Sequence, residues 1–197
     1  QTGDNNRFLR LWNEVNYNKI GYNMSNSEEA LESKKKWFPY NKGGEFRKWY
    51  GNQEYLVNWE NDGYEIKNFY DGKGKLRSRP QNTEYYFKES ISWGLITSAG
   101  SSFRYFPKGF VYDVSGMSYF LEKNQFNYLG ILNTKIYSDL TKIINPTINL
   151  QIGDILVLPA TEIKNEKFNI LVQQSIEISK EEWDSRETSW DFEKLSL

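Results

Sequence analysis

The chain has 197 residues, a mass of 23.3 kDa, a net charge of −1 and a mean hydropathy of −0.75, enough length to bury a core without staples. It contains no cysteine and no histidine, which excludes disulfides, thiol catalysis, zinc knuckles, a Ser-His-Asp triad and imidazole as general base. Aromatic residues make up 17% of this polar chain, which excludes disorder and leaves rings over for a recognition surface. No apolar run approaches the roughly 20 residues of a membrane helix, so a cytoplasmic protein without membrane contact is expected. The start, Gln1-Thr2-Gly3-Asp4, is not a signal peptide and reads as a piece of something longer.

In chain order, Phe8, Leu9, Leu11, Trp12, Val15 and Tyr17 predict a short amphipathic helix, with Asp4 as N-cap and Gly21 as stop. Ser27–Glu32 suits a helical turn or a loop. Tyr55–Trp59 predicts a strand, and the turn Asn61-Asp62-Gly63 follows it. Asp71-Gly72-Lys73-Gly74-Lys75 is a glycine-rich basic loop. Tyr85-Tyr86-Phe87 and Ile91–Ile96 predict further strands, and Ser98–Ser102 a loop. Phe103–Val114 predicts two short strands joined as a hairpin by Pro107-Lys108-Gly109. The apolar period then changes. Phe126, Leu129, Leu132, Ile136, Leu140, Ile143 and Ile144 recur at three or four, predicting one long helix over 124–144 that Pro146 ends. Ile148 and Leu150 alternate into a predicted strand over Ile155–Leu158, closed by Pro159. Phe168–Ile178 is helical or extended. The tail from Glu177 carries seven carboxylates against three basic residues, with Trp183, Trp190 and Phe192. It reads as an acidic connector over 177–197 whose rings dock on an absent neighbour.

The balanced net charge hides an asymmetry. Residues 1–110 hold 17 Lys/Arg against 13 Asp/Glu, whereas residues 111–197 hold 8 against 13, so a polyanion would meet the first half. Two basic segments lie there. In Lys34–Tyr50, six cations and one carboxylate alternate with six rings around Gly43-Gly44, which lets backbone amides approach a phosphate. In Asp71–Gln81, Lys73, Lys75, Arg77 and Arg79 precede Gln81 and Asn82, and guanidinium and amide groups are those that read guanine and adenine edges. Each segment alone also suits a solvated loop. Two of them within fifty residues favour a binding surface. Ser98–Ser102, leading to Arg104, suits phosphate contact or an ordinary turn.

Two patterns offer chemistry. Asn145-Pro146-Thr147-Ile148 resembles the Asn-Pro-Pro-aromatic motif of amino-methyltransferases, but Thr147 and Ile148 replace the second proline and the ring, so it reads as a helix terminator. No glycine-rich turn follows a strand to hold a methyl donor. Asp154 with Glu162-Ile163-Lys164 has the skeleton of a magnesium-dependent nuclease, though Glu65-Ile66-Lys67 repeats the triplet as chance would.

Several short motifs occur in an order that carries a resemblance: Thr2-Gly3-Asp4-Asn5 with Phe8, Leu9 and Arg10; Lys36–Gly44; Arg47–Asn52; Val57–Gly63; Arg77-Ser78-Arg79-Pro80-Gln81-Asn82; Phe106–Phe110; Leu132-Asn133-Thr134-Lys135; and Asn145–Ile155 with Pro159. Over nearly its whole length the chain resembles the target-recognition domain of PglX-type adenine-specific DNA methyltransferases of BREX phage-defence systems and related single-chain restriction-modification methylases. The resemblance implies an α+β fold like the recognition domains of type I specificity subunits. That fold has a twisted mixed sheet, loops facing DNA and a long helix near 124–144.

It further implies that residues 1–176 recognise double-stranded DNA and present an adenine to a catalytic methyltransferase domain of the same parent chain. Residues 177–197 would lead to a helical region. S-adenosylmethionine is implied for that parent, and no cofactor, metal or catalytic residue for this chain. On this reading the DNA contacts are Lys42, Arg47, Lys48, Lys73, Lys75, Arg77, Arg79, Gln81, Asn82, Arg104 and Lys108. The lysines position on phosphates, and the arginines with Gln81 and Asn82 specify. The competing readings are the nuclease built on Asp154, Glu162 and Lys164, and a module that binds protein or carbohydrate through its aromatic surface.

Overall fold

A computed structural model of the protein describes residues 2–96, 100–159 and 161–194. The elements run α1 (Asn5–Phe8), β1 (Leu9–Leu11), α2 (Ser27–Glu32), β2 (Trp37–Asn41), β3 (Tyr55–Asn58), α3 (Glu60–Lys67), β4 (Ser90–Gly94), β5 (Arg104–Phe106), β6 (Val111–Tyr112), β7 (Gly116–Tyr119), α4 (Gln125–Leu132), α5 (Lys135–Ile144), α6 (Ile152–Leu156) and α7 (Glu166–Asp184), with short 3₁₀ turns between. The class is α+β, as expected. The chain divides into two compact units, each built from three stretches: Gln1–Asn41, Gln53–Glu89 and Pro107–Asp113 in the first; Lys42–Asn52, Ser90–Phe106 and Val114–Leu197 in the second.

The first unit holds a mixed four-stranded sheet in the order β1-β3-β2-β6. Its pairs are antiparallel except β2 with β6, where Tyr40 lies opposite Val111. Phe8, Phe38, Trp59, Tyr86 and Phe87 fill its core, with Trp59 edge-on to Tyr86 and Phe38 edge-on to Phe87. Asp4 caps α1 through Arg7 N–H at 3.1 Å, but the helix lasts one turn, because β1 pairs its Leu9–Leu11 with Tyr55–Val57 of β3. The sheet's backbone hydrogen bonds override the helical spacing of Leu9, Leu11 and Trp12. The turn at Asn61-Asp62-Gly63 forms as expected, all three residues being left-handed, and one right-handed turn to Lys67 follows. Tyr85–Phe87 is not a strand. A 3₁₀ turn over Thr83–Tyr85 lies between left-handed Asn82 (φ 53°) and Phe87 (φ 69°), a backbone that cannot continue a ladder.

The second unit holds an antiparallel three-stranded sheet, β5-β4-β7, whose central strand β4 is wholly buried. β5 belongs to this sheet and β6 to the first unit's, so Pro107-Lys108-Gly109 joins two sheets and closes no hairpin. The long helix expected over 124–144 is two. Asn133 leaves the helix to pair both its amide groups with the backbone of Phe103 (3.1 and 2.8 Å), and Thr134 accepts from Tyr137 N–H to start α5. Ile155–Leu158 is not a strand either. Asp154 accepts from Gln151 N–H at 2.8 Å and seeds α6. On α7, Val172, Ile176 and Trp183 recur on one face and join Trp93, Phe103 and Leu129 in the core. The step expected at 176/177 thus falls inside a continuous helix, and the ring of Trp183 docks within its own unit.

Candidate nucleic-acid interface

The basic stretch of the first unit is a tight hairpin followed by an extended segment. Tyr70 bridges Leu76, Asp71 N–H donates to the Lys75 carbonyl (2.9 Å), and one Asp71 carboxylate oxygen accepts from the N–H groups of Lys73 and Lys75 (2.9 Å each). The Lys75 amide first, then that of Lys73, with a weaker pull from Arg77, holds the Asp71 carboxyl below its ordinary 3.8. A depressed carboxylate contributes order above its unfolded pKa and loses it as pH falls through the folded value. In an NMR pH titration the Lys73 and Lys75 amide signals are therefore expected to shift with a midpoint below 3.8, whereas a midpoint at or above it would contradict this arrangement.

Lys73, Lys75, Arg77, Arg79, Gln81 and Asn82 are all exposed, yet the backbone that carries them is held. Ser78, 2% exposed between the two arginines, donates its hydroxyl to the Ile66 carbonyl. Arg77 N–H donates to the Phe69 carbonyl at 2.8 Å, and its guanidinium lies 5.7 Å from the Phe69 ring centre. Gly3 (φ +81°) lies against the same backbone. A Cβ there would stand 2.8 Å from the Arg77 carbonyl carbon, so only glycine admits this approach. Gly3, Phe69 and Ser78 are the positioning residues that the reading of side-chain chemistry missed. The only signal for them was the joint occurrence of Thr2-Gly3-Asp4-Asn5 and Arg77–Asn82 in one family pattern.

Four of the remaining expected contacts, Lys42, Arg47, Lys48 and Arg104, lie in the second unit. Arg104 is a correction. It is fully buried, and its guanidinium donates to the carbonyls of Gly43 (3.1 Å), Glu45 and Arg47 (3.3 Å each). Burial, then the like charge of Arg47, pushes it down to about 10. It shapes the 43–47 loop and presents nothing to a ligand. Arg47 pairs with Glu182 at 2.6 Å and lies 5.0 Å from the Trp183 ring centre. Burial opposes ionisation of Glu182, but Arg47 and Arg186 together hold its carboxyl below the usual range. Lys48 donates to the Asn133 carbonyl at 2.8 Å. Lys42 is half-buried. In the first unit, Lys108 is exposed and reaches the Ser25 hydroxyl at 3.1 Å. Of the Ser98–Ser102 loop, Ser98 and Ala99 lie outside the described residues.

The residues of the nuclease reading make local hydrogen bonds. Asp154 accepts from Gln151 N–H and from Asn145 Nδ2 (2.7 Å), while Glu162 accepts from Asn124 Nδ2 (3.0 Å). Among the described residues no group of three or more acidic side chains is placed to hold a metal ion. Asn145 donates its amide to Asp154 and Asn149 and accepts with its oxygen from Thr147, the local pattern of a helix terminator after α5. The aromatic surplus is largely internal. All seven tryptophans are buried or half-buried, and the exposed rings are Tyr17, Phe46, Tyr64, Tyr70 and Tyr85. No described helix is long and apolar enough to cross a membrane.

Comparison with known proteins finds relatives along nearly the whole chain. Over 195 residues, 96% of its length, the chain is 40% identical to the adenine-specific methyltransferase BrxX of Escherichia coli O9:H4 (strain HS). It is 40% identical over 194 residues, 97% of its length, to the adenine-specific methyltransferase PglX of Lacticaseibacillus casei (strain Zhang). The chain is similar to a segment of adenine-specific methyltransferases. It spans only 15% of the first relative and 16% of the second. No family model matches it.

Proposed function

We propose that this chain is the part of an adenine-specific DNA methyltransferase that recognises the target sequence in double-stranded DNA, and that residues 73–82 of its first unit make the sequence-reading contacts. The observation that carries this reading is the pairing of exposed cationic and amide side chains with an immobilised backbone. Base discrimination requires donors and acceptors held in register with a groove, and Arg77, Arg79, Gln81 and Asn82 flank or follow an anchor at Ser78 that fixes the backbone carrying them. Lys73 and Lys75 lie on the hairpin, where point charges suit phosphates. The likeness to methyltransferases over nearly the whole chain supports DNA as the partner, and S-adenosylmethionine and the methyl transfer belong to the remainder of the parent protein.

The roles separate under mutation. Lys73→Ala is expected to weaken binding to all duplexes alike and to lower the salt slope, log K against log [salt], by about one. Arg77→Ala and Arg79→Ala are expected to change the selected sequence, each removing about 1–3 kcal/mol of discrimination at one base pair. Selection from a random duplex pool with each variant measures both. Uniform weakening by all three, with the selected sequence unchanged, would overturn the assignment of reading to 77–82.

A further inference from the structure

The ring that steadies Arg77 steadies a second cation. Arg7, the last but one residue of α1, has its guanidinium 5.0 Å from the Phe69 ring centre, beside that of Arg77 at 5.7 Å. Phe69 is itself fixed, half-buried and edge-on to Phe8 at 5.2 Å. Both arginines are exposed, and they are brought together from positions seventy residues apart. The same turn delivers both, because Gly3, just before α1, lies against the Arg77–Ser78 backbone. An aromatic face attracts each cation, yet leaves the guanidinium edges, where the N–H donors lie, open to an oxyanion. Two like charges held around one ring are poorly balanced. Arg7 meets Glu65 at long range (3.7 Å), Glu65 also serves Lys36 at 3.5 Å, and Arg77 exerts only a weak pull on the Asp71 carboxyl.

We infer that Arg7, presented by the Phe69 ring it shares with Arg77, grips the phosphodiester backbone of duplex DNA beside the reading segment. Arg7 is the contact residue and Phe69 the positioning residue. Glu65 competes with the phosphate for Arg7. The inference rests on the proposed recognition of DNA and adds to it a residue outside both basic segments.

Duplex binding by the 197-residue chain, followed by fluorescence anisotropy across a salt series, tests this. Arg7→Ala is expected to lower the salt slope by about one, and Arg7→Lys to keep it. Glu65→Gln frees Arg7 and is expected to tighten binding about threefold, the opposite sign from loss of a structural ion pair. Phe69→Leu keeps the apolar volume and both charges. It is expected to lower affinity with the slope intact, and Phe69→Tyr to restore it. If Lys73→Ala lowers the slope while Arg7→Ala and Glu65→Gln change nothing, the grip is wrong and the recognition reading stands. If the unmutated chain binds no duplex at low salt, both fall.

Discussion

Arg104→Ala is expected to destabilise the protein by on the order of 3–5 kcal/mol in urea unfolding, a larger loss than any exposed cation of the chain would give. The guanidinium is fully buried, and among the described residues no carboxylate pairs with it. Its donors go instead to three alternate carbonyls of the 43–47 loop, and its Nε is buried without a partner. Removing it leaves a cavity and three acceptors that face no donor of comparable reach. Arg104→Lys is expected to recover less than half of the loss, since one ammonium cannot span carbonyls that a planar fork bridges. A loss below about 1 kcal/mol for Arg104→Ala would mean that water replaces the guanidinium, and that the arginine is not what holds the loop.

Trp183→Ala is expected to cost about 3–5 kcal/mol, the usual range for emptying a large buried aromatic site. The ring is 4% exposed, packs in the core of the second unit and faces the Arg47 guanidinium. A Cβ at Gly51 (φ +115°) would stand 2.9 Å from it, so the chain keeps a glycine where the indole passes. Thermal or urea unfolding of Trp183→Ala against Trp183→Phe measures the effect, with the phenylalanine variant expected to lose less. A near-neutral alanine variant would restore the view of this segment as a connector awaiting a neighbour.

These two residues also mark the limit of what the amino-acid order reveals. Periodicity and turn chemistry were enough for β3, β4, the Asn61–Gly63 turn and the Asp71–Lys75 loop, because each depends on neighbours in sequence. Where a distant partner decides the local structure, the same reasoning fails. Leu9–Leu11 becomes a strand because β3 offers a ladder, and the run over 124–144 breaks because Asn133 finds the Phe103 backbone. The Thr134 N-cap inside that run was a readable warning. An arginine in sequence is a candidate for phosphate or for carbonyl, and only burial tells Arg104 from Arg77. The exposed stretch 73–82 was legible as chemistry. Its immobilisation by Ser78, Gly3 and Phe69 was not, since hydroxyl, glycine and ring carry no charge signal and act across 8 to 75 residues of chain.

The central claim is that this chain by itself reads DNA sequence. The most direct measurement is selection from a random duplex pool at low and moderate salt, with sequencing of the bound fraction. Binding that falls steeply with salt, together with enrichment of one short motif that disappears in Arg77→Ala, is the expected result. Absence of any duplex binding at low salt, from a chain shown to be folded, would contradict the account.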